Sequence, residues 1–229
     1  MKTTDVLVIG GSAAGMVAAL TGKSSWPKKN FILVKKQKDM MVPCGIPYIF
    51  GTLDCSDQNL MPVDAMMAKS GIESIVGEIT NIDTASKTAD LASGEKIQYD
   101  KIVLATGSIP LKPKWLVGGD KENVFVIPKD KIYLDEIKKK LASHKKIVVI
   151  GAGFIGVEFS DELNKSKFDV TLVEKLPDIL SLAFDAELSK KIAEILALRG
   201  VKIKTGNGIK EILGKDKVES VLLENGEII

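Results

Sequence analysis

The segment KIVVIGAGFIG, residues 146–156, decides the fold. The apolar run KIVVI is typical of a strand that is buried on both faces of a parallel sheet. Gly151, Gly153 and Gly156 follow at once in the spacing G-x-G-x-x-G, and a helical segment continues to about Lys165. The first glycine allows a tight turn, the second lets a pyrophosphate approach the backbone, and the third lets helix and strand pack closely. The segment therefore predicts a strand–loop–helix unit whose backbone N–H groups and helix dipole hold a dinucleotide.

Glu174 supplies the second part of this pattern. It ends the next predicted strand, DVTLVEK, 23 residues after Gly151. A carboxylate at this place can accept hydrogen bonds from both ribose hydroxyls and disfavours a 2′-phosphate, so we expect NADH to be preferred over NADPH. Phe154, Ile155 and Lys175 complete the predicted contacts. The alternative is a glycine turn that serves only the fold.

The same order of elements occurs about 140 residues earlier in the chain. A buried strand (VLVI, residues 6–9) leads into GGSAAG, then into a helix of small residues and a second strand, FILV. Ser12 replaces the middle glycine, but it is small and its hydroxyl can bond a phosphate oxygen. The predicted contacts of this first loop are Gly10, Ser12, Ala13, Ala14 and Gly15.

Two lysines interrupt the pattern of the first loop. Lys35 and Lys36 stand at the end of the following strand, where an acid is expected. We therefore predict a second dinucleotide site whose ribose contact is altered, with both lysines as candidate cofactor contacts.

The sequence pattern between the two glycine loops indicates the domain organisation. Residues 72–104 alternate and turn at TASK and ASGE, which predicts an antiparallel meander that ends in the buried strand Ile102–Leu104. The segment LKPKWLVGGD reads as a linker. We expect an α/β fold of two Rossmann-like three-layer domains, 1–112 and 113–229, each with a parallel sheet and a small antiparallel meander. The chain stops within a predicted hairpin at Asn225-Gly226, so we expect the second domain to be incomplete.

Two further helices are predicted in the second domain. The first covers residues 130–142, and the second covers 185–199 with Gly200 as its C-cap. The residues expected to face inward are Tyr133, Ile137 and Leu141 in the first helix, and Leu188, Ile192, Ile195 and Leu196 in the second.

The stretch MMVPCGIPYIFG, residues 40–51, raises a question about Cys44. A lone cysteine is either a small core residue or a reactive thiol. Pro47 suits the first turn of a short helix, and a thiol at a helix N-terminus has its thiolate stabilised by the dipole. We therefore expect Cys44 to be redox-active. Cys55, eleven residues later, is expected to be structural or incidental, with a resolving disulfide partner as the alternative.

The bulk composition excludes several classes of function. The chain has 32 basic and 30 acidic residues, a net charge of +2, which gives no support for nucleic-acid or membrane binding. A single histidine, His144, argues against a histidine-rich metal site or a Ser/His/Asp triad, and we predict no metal. The N-terminus lacks a signal-peptide pattern and no apolar run is long enough to span a bilayer. We expect a cytoplasmic location, in which thiols are reduced.

Four motifs, taken together and in order, resemble the FAD-dependent pyridine nucleotide–disulfide oxidoreductases, and within them the single-cysteine branch of coenzyme A-disulfide reductases and NADH oxidases or peroxidases. The motifs are VIGGSAAGMVAAL, PCGIPYIFG, YDKIVLATGSIP and KIVVIGAGFIGVEFSDEL. This resemblance implies that the first loop binds the ADP part of FAD and that Ala105, Thr106 and Gly107 close over the flavin nucleotide. It also implies that the second loop binds NAD(P)H and that Glu158 sits beside the nicotinamide and the flavin.

The resemblance further implies an electron path from NADH through FAD to Cys44. The dithiol branch has a second cysteine where this sequence has Ile49, so Cys44 would cycle through a mixed disulfide or a sulfenic acid. The acceptor would be a small-molecule disulfide such as coenzyme A disulfide, with peroxide or oxygen as the alternative. Pro43 stands where coenzyme A-disulfide reductases often have a polar residue, so the resemblance does not decide whether coenzyme A is the substrate. Family members continue for another half that includes a dimerisation domain. We therefore expect the full-length protein to be a homodimer. The third functional alternative is a non-catalytic fragment that binds nucleotides.

Overall fold

The computed structural model describes residues 1–229, which divide into two compact units. The first unit comprises Met1–Pro43 and Asn59–Ile109, and the second comprises Cys44–Gln58 and Pro110–Ile229. The sequence predicted a continuous first domain over 1–112. The structure differs in one respect, because the segment that carries both cysteines groups with the second unit.

The first unit contains eight strands and two α-helices. In chain order they are β1 (Lys2–Ile9), α1 (Ala13–Ser25), β2 (Phe31–Lys35), β3 (Met40–Met41), β4 (Leu60–Met61), α2 (Val63–Lys69), β5 (Glu73–Val76), β6 (Ile79–Asp83), β7 (Thr88–Leu91) and β8 (Lys96–Leu104). Six of the strands form one sheet in the order β5-β2-β1-β8-β7-β6. The four strands β5, β2, β1 and β8 are parallel, and β7 and β6 continue the sheet in antiparallel fashion.

The core of the first unit lies on both sides of its parallel strands. Val8 belongs to a buried cluster that includes Met67 of α2, whereas Leu7 belongs to a second cluster that includes Ala89 of β7 and Tyr99 of β8. A strand that is buried on both faces needs a continuous apolar sequence, which VLVI and FILV provide. Helices, parallel strands and antiparallel strands therefore form the three layers, and the predicted α/β class is confirmed.

The antiparallel part of this unit begins later than the sequence suggested. Glu73–Val76 is β5, a parallel edge strand beside β2, and the meander itself is β6 to β8. Strand β8 has nine residues, enough to pair with β1 along most of its length and with β7 near its start. The expected burial of Ile102–Leu104 is wrong for Leu104, which is 63% exposed where the strand ends.

The second unit repeats the arrangement with fewer strands. Its elements are α3 (Lys131–Leu141), β9 (Lys146–Ile150), α4 (Phe154–Lys165), β10 (Asp169–Val173), α5 (Ala186–Arg199), β11 (Lys202–Lys204), β12 (Ile209–Leu213) and β13 (Ser220–Leu223). The parallel sheet has the order β11-β10-β9, and β12 and β13 form an antiparallel hairpin. Val173 of the sheet and Ile212 and Val221 of the hairpin share one buried cluster, so the hairpin covers a face of the parallel sheet.

The helices of the second unit begin and end close to where the sequence placed them. Gly200 terminates α5 in the left-handed conformation, with φ of 109°, as predicted. The buried face of α5 is wrong in part: Ser189 and Leu196 are buried, whereas Leu188 and Ile195 are exposed. Adjacent helical positions point about 100° apart, so a shift of one residue turns the predicted stripe towards solvent.

Helix α3 shows a smaller difference in its buried face. Leu134 and Ile137 are its buried residues, while the predicted Tyr133 and Leu141 are only half-buried. No helix of the structure is both long enough and apolar enough to cross a membrane.

Candidate functional site

The outer glycines of the second loop are required by the fold. Gly151 has φ of 92° and donates its N–H to the Val173 carbonyl at 2.8 Å. A Cβ atom added at Gly156 would lie 1.8 Å from the Gly151 carbonyl oxygen. A side chain at either position would therefore strain the turn that joins β9 to α4.

Gly153 has a different role, because the backbone would accept other residues at this position. Its φ of −74° is accessible to any residue, and a Cβ atom added there would meet nothing within 4 Å. It is the N-cap of α4 and provides no side-chain cap, so the N–H groups of the first turn lack intrahelical partners. Open space in front of free N–H groups is what a pyrophosphate needs. The residues around the second loop thus fit a dinucleotide.

A neighbouring loop that the sequence did not single out forms a wall beside the second loop. The Leu180 N–H donates to the Ala152 carbonyl at 2.8 Å, and Leu180 itself has a positive φ of 54°. The Phe184 ring lies edge-on to Phe154, with 5.7 Å between centroids. Phe154 and Ile155 remain exposed and present apolar surface beside the helix N-terminus. No sequence motif marks Leu180 or Phe184.

Glu174 is fixed beside the second loop by two backbone N–H groups. Its Oε2 accepts from Ala152 at 2.6 Å, and its Oε1 accepts from Leu176 at 2.9 Å. Each carboxylate oxygen keeps further acceptor capacity, so the group can still receive ribose hydroxyls. The neighbouring Lys175 is exposed and pairs with Glu224, whose pKa it lowers through a direct hydrogen bond.

The first loop has nearly the same backbone as the second. Gly10 has φ of 115°, and a Cβ atom added at Gly15 would lie 1.8 Å from the Gly10 carbonyl oxygen, as in the second loop. Ser12 has φ −82° and ψ −172°, close to the −74° and −176° of Gly153. Having Ser12 in place of glycine therefore changes the side chain but not the backbone conformation. The Ser12 hydroxyl makes no capping bond to α1.

The segment Ala105–Gly107 lies against the first loop. The Ala105 N–H donates to the Ile9 carbonyl at 2.8 Å, and a Cβ atom at Gly10 would lie 2.1 Å from the Ala105 carbonyl oxygen. Gly107 has a positive φ of 72°, and Thr106 and Gly107 are exposed. The structure thus brings together two of the predicted contact groups. Their part in holding a flavin nucleotide stays a prediction.

Lys35 is directed into the first unit instead of towards solvent. It is 1% exposed, and its Nζ lies 2.9 Å from Asp64 Oδ2 and also donates to the Lys38 carbonyl. Its stem fills the space beside Gly11, where an added Cβ would lie 2.7 Å from the Lys35 Cβ. The ammonium is thus engaged inside the fold, which argues against the predicted direct contact with a cofactor. Lys36 is exposed and pairs with Glu78 at 2.7 Å.

Cys44 is an exposed free thiol, which excludes the alternative of a core residue. It lies in the 3₁₀ turn Pro43–Gly45, and a second 3₁₀ turn covers Pro47–Phe50. The sequence predicted a helix N-terminus here. Turns of three and four residues carry no macrodipole of the kind that a helix builds up, so a helix dipole does not stabilise the thiolate here.

The remaining predicted residues are also exposed. Glu158 lies one turn after Phe154 on α4, so both occupy the same face of the helix, and its carboxylate makes no hydrogen bond or ion pair. No hydrogen bond joins Glu158 to Cys44. Cys55 is a second exposed free thiol. No group of three or more His, Cys, Asp or Glu side chains is arranged to hold a metal ion.

Comparison with known proteins adds independent information. A family model described as pyridine nucleotide-disulphide oxidoreductase matches residues 4–229. An NADH oxidase of Methanocaldococcus jannaschii is 30% identical over 95% of the chain and 50% of its own length. A CoA-dependent NAD(P)H sulfur oxidoreductase of Pyrococcus abyssi is 30% identical over 97% of the chain and 50% of its own length. The chain spans about half the length of the curated relatives it matches.

A solved structure with the same fold is an NAD-dependent persulfide reductase from A. fulgidus. It superposes with a TM-score of 0.87 and 27% identity, over 98% of the chain and 44% of that structure.

The two kinds of glycine in the second loop should respond differently to substitution. Gly156→Ala is expected to lower the free energy of unfolding by about 2 kcal/mol or more, because the added Cβ overlaps a carbonyl. Gly153→Ala is expected to lower stability by about 1 kcal/mol or less, because alanine is a poorer N-cap than glycine, but to weaken NADH binding about ten-fold or more, since the methyl occupies the ligand's space. Chemical denaturation and NADH titration measure the two effects. Equal stability losses in both variants would contradict the assignment.

The Lys35–Asp64 pair predicts how stability changes in acid. The Lys35 ammonium and the Ser74 hydroxyl hold the pKa of the Asp64 carboxyl below its usual range. The ionised pair thus stabilises the fold above the unfolded-state pKa of about 3.9, and this contribution is lost as the pH falls through the lower folded value. The stability difference between wild type and Lys35→Met should therefore shrink below about pH 4. Urea unfolding at pH 7 and pH 3 tests this.

Lys36→Met is the matched control for this experiment. Lys36 and its partner Glu78 are both exposed, and exposed pairs contribute little to stability. Its difference from wild type should be small at both pH values. A pH-independent difference for Lys35→Met would show that the pair does not act as proposed.

Proposed function

The chain belongs to the pyridine nucleotide-disulphide oxidoreductase family, since the family model covers residues 4–229, and on this basis we propose that it is the nucleotide-binding part of an NADH-dependent flavoprotein. The protein would pass electrons from NADH through FAD to Cys44, which reduces a small-molecule disulfide such as coenzyme A disulfide. The observation that carries this proposal is the pair of glycine loops with nearly the same backbone and, in each, an N-cap that makes no side-chain capping bond. Two dinucleotides in one chain are suited to electron transfer between nucleotide cofactors.

The residues of each loop support the assignment of its ligand. Gly10–Gly15 and Ala105–Gly107 would hold the FAD nucleotide, with Ser12 in reach of a phosphate oxygen. The second loop and Glu174 would hold NADH, with a fixed carboxylate that repels a 2′-phosphate. FAD, when bound, supplies a two-electron carrier between a hydride donor and a thiol-based acceptor.

Cys44 would carry the chemistry of the acceptor. Its thiolate attacks a disulfide RSSR, so that the S–S bond breaks, a Cys44–S–S–R bond forms, and RS⁻ leaves and takes a proton from water. Two electrons that originate in NADH then break the mixed disulfide, release the second thiol and restore Cys44. The balance is NADH + H⁺ + RSSR → NAD⁺ + 2 RSH. The exposure of Cys44 allows the attack.

The relatives support two related acceptors. One of them is named a CoA-dependent sulfur oxidoreductase and another a persulfide reductase, which favours sulfur chemistry with a coenzyme A thiol. The relative named NADH oxidase favours the second candidate, in which oxygen or peroxide is the acceptor. With peroxide, Cys44 would become a sulfenic acid with loss of hydroxide, and two electrons and two protons would return it to the thiol and water.

Replacing the cysteines one at a time tests the electron path. In Cys44→Ser, turnover of NADH with coenzyme A disulfide is expected to fall by about 100-fold or more, because the nucleophile is gone, while anaerobic bleaching of the flavin by NADH persists. Cys55→Ser is the matched control and should behave as wild type. Stopped-flow absorbance and steady-state rates measure both steps. A Cys44→Ser variant that turns over at the wild-type rate would refute the proposal.

The nucleotide preference is tested at Glu174. In Glu174→Gln the amide oxygen can still accept from Ala152, but the repulsion of a 2′-phosphate is lost and the ribose contact weakens. The NADH-to-NADPH ratio of kcat/KM should therefore fall about ten-fold or more. Lys202→Met should leave the ratio unchanged, because Lys202 pairs with Asp169 at the opposite end of β10. An unchanged ratio in Glu174→Gln would contradict this role.

A further inference from the structure

Glu162 is a buried carboxylate that nucleotide binding does not explain. It lies on α4 and is 3% exposed. It follows Phe154, the first residue of that helix, by two turns, a rise of about 12 Å along the axis. A buried charge is costly unless it is paired and fully hydrogen-bonded. Its partners therefore indicate what the charge is for.

The partners of Glu162 lie on the segment that carries Cys44. Its Oε2 accepts from the Thr52 N–H at 2.7 Å and from the Thr52 hydroxyl at 2.7 Å. Its Oε1 accepts from the Lys165 ammonium at 2.5 Å, one turn further along the helix. The carboxylate thus takes three donors, two of them from a single residue 110 positions away in the chain. Charge-assisted bonds of this kind are short and directional.

Neighbouring contacts hold the same stretch of chain. The Ser166 hydroxyl, just past the end of α4, donates to the Phe50 carbonyl at 2.7 Å. The rings of Phe50 and Phe159 are 5.0 Å apart between centroids. A Cβ atom added at Gly51 would lie 2.5 Å from Glu162 Oε2, so only glycine lets the chain come this close. The second half of α4 therefore anchors the last residue of the 3₁₀ turn Pro47–Phe50 and the two residues that follow it.

We propose that Glu162 is a positioning residue for Cys44, and this inference rests on the proposed redox role of that thiol. Helix α4 begins at the second glycine loop and ends at the bonds to Phe50 and Thr52, so one rigid element supports both the dinucleotide site and the cysteine segment. The Phe50–Phe159 contact supplies apolar packing, which has little directional preference. The Glu162–Thr52 bonds are directional, so they would fix the orientation of the segment that carries Cys44.

The variant Glu162→Gln tests this role in the purified full-length protein with bound FAD. The amide oxygen can accept from Thr52 only if its NH₂ group then faces the Lys165 ammonium, so the anchor is weakened with almost no change in volume. Hydrogen exchange of the peptide that contains Thr52 should accelerate about ten-fold, the size expected for losing a hydrogen bond to a charged group. Cys44-dependent reoxidation by coenzyme A disulfide should slow about ten-fold, while flavin reduction by NADH stays unchanged.

Three variants serve as controls and keep the inference testable. Asp161→Asn removes an adjacent carboxylate that pairs with Arg199 and Lys165 but makes no bond to Thr52, and it should leave both readouts unchanged. Thr52→Ser keeps both donors and should behave as wild type. Thr52→Val removes one donor and should give an intermediate effect, which remains informative if Glu162→Gln does not fold.

The two half-reactions separate the possible results. Equal slowing of flavin reduction and reoxidation in Glu162→Gln, or faster hydrogen exchange with an unchanged reoxidation rate, would overturn the positioning role and leave Glu162 as a structural group. A wild-type protein without Cys44-dependent reoxidation would overturn the proposed function itself. In that case the hydrogen-exchange result still reports whether the Glu162–Thr52 bonds anchor the segment.

Discussion

The close contact between two glycines of each loop is the constraint on which both units depend. A carbonyl group at the end of a strand lies where the side chain of the fifth following residue would be, at Gly10 and Gly15 in one unit and at Gly151 and Gly156 in the other. Only this contact lets a buried parallel strand turn directly into a helix whose first N–H groups face open space. The strand must be apolar because it is covered on both faces, and the helix N-terminus must be free of side-chain caps if an anion is to bind there. One steric condition thus determines the order of elements and provides the binding surface.

Where the sequence succeeded, the information was local. The strands, the two loops, the helix C-cap at Gly200 and the hairpin turn at Asn225-Gly226 each depend on a few consecutive residues, and the structure contains all of them. The equivalence of Ser12 and Gly153 is also local, because it concerns one φ/ψ pair that any small residue can adopt. Periodicity was less reliable: on α5 the predicted Leu196 is buried, but the predicted Leu188 and Ile195 are exposed, and Ser189, which was not predicted, is buried.

Where the sequence failed, the interaction joins residues far apart in the chain. In the sequence, Lys35 is a departure from the nucleotide-binding fingerprint. Nothing near it in the chain indicates that its ammonium pairs with Asp64, 29 residues later. The grouping of Cys44–Gln58 with the second unit depends on bonds from Thr52 to Glu162, and the intervening 110 residues carry no signal for them. The short helix expected through Phe50 is present, with Pro47 in its first turn, but it is a four-residue 3₁₀ helix and not an α-helix.

Lys35 and Glu162 are the two charged residues that the fold buries almost completely, and the comparison between them bears on function. Each would cost several kcal/mol if left unpaired, and apolar residues of similar volume would often serve stability as well or better. Lys35 occupies the position in the first unit that Glu174 occupies in the second. Glu174 accepts a hydrogen bond from the Ala152 N–H of its glycine loop, whereas the Lys35 ammonium can only donate and pairs with Asp64. The Lys35 ammonium has one charged partner, the exposed Asp64, and one backbone carbonyl, that of Lys38. Glu162 instead collects three donors, two of them from Thr52 in the segment that carries Cys44. A buried charge with this much directional bonding is poorly explained by stability alone, and it is well suited to holding a thiol in one orientation.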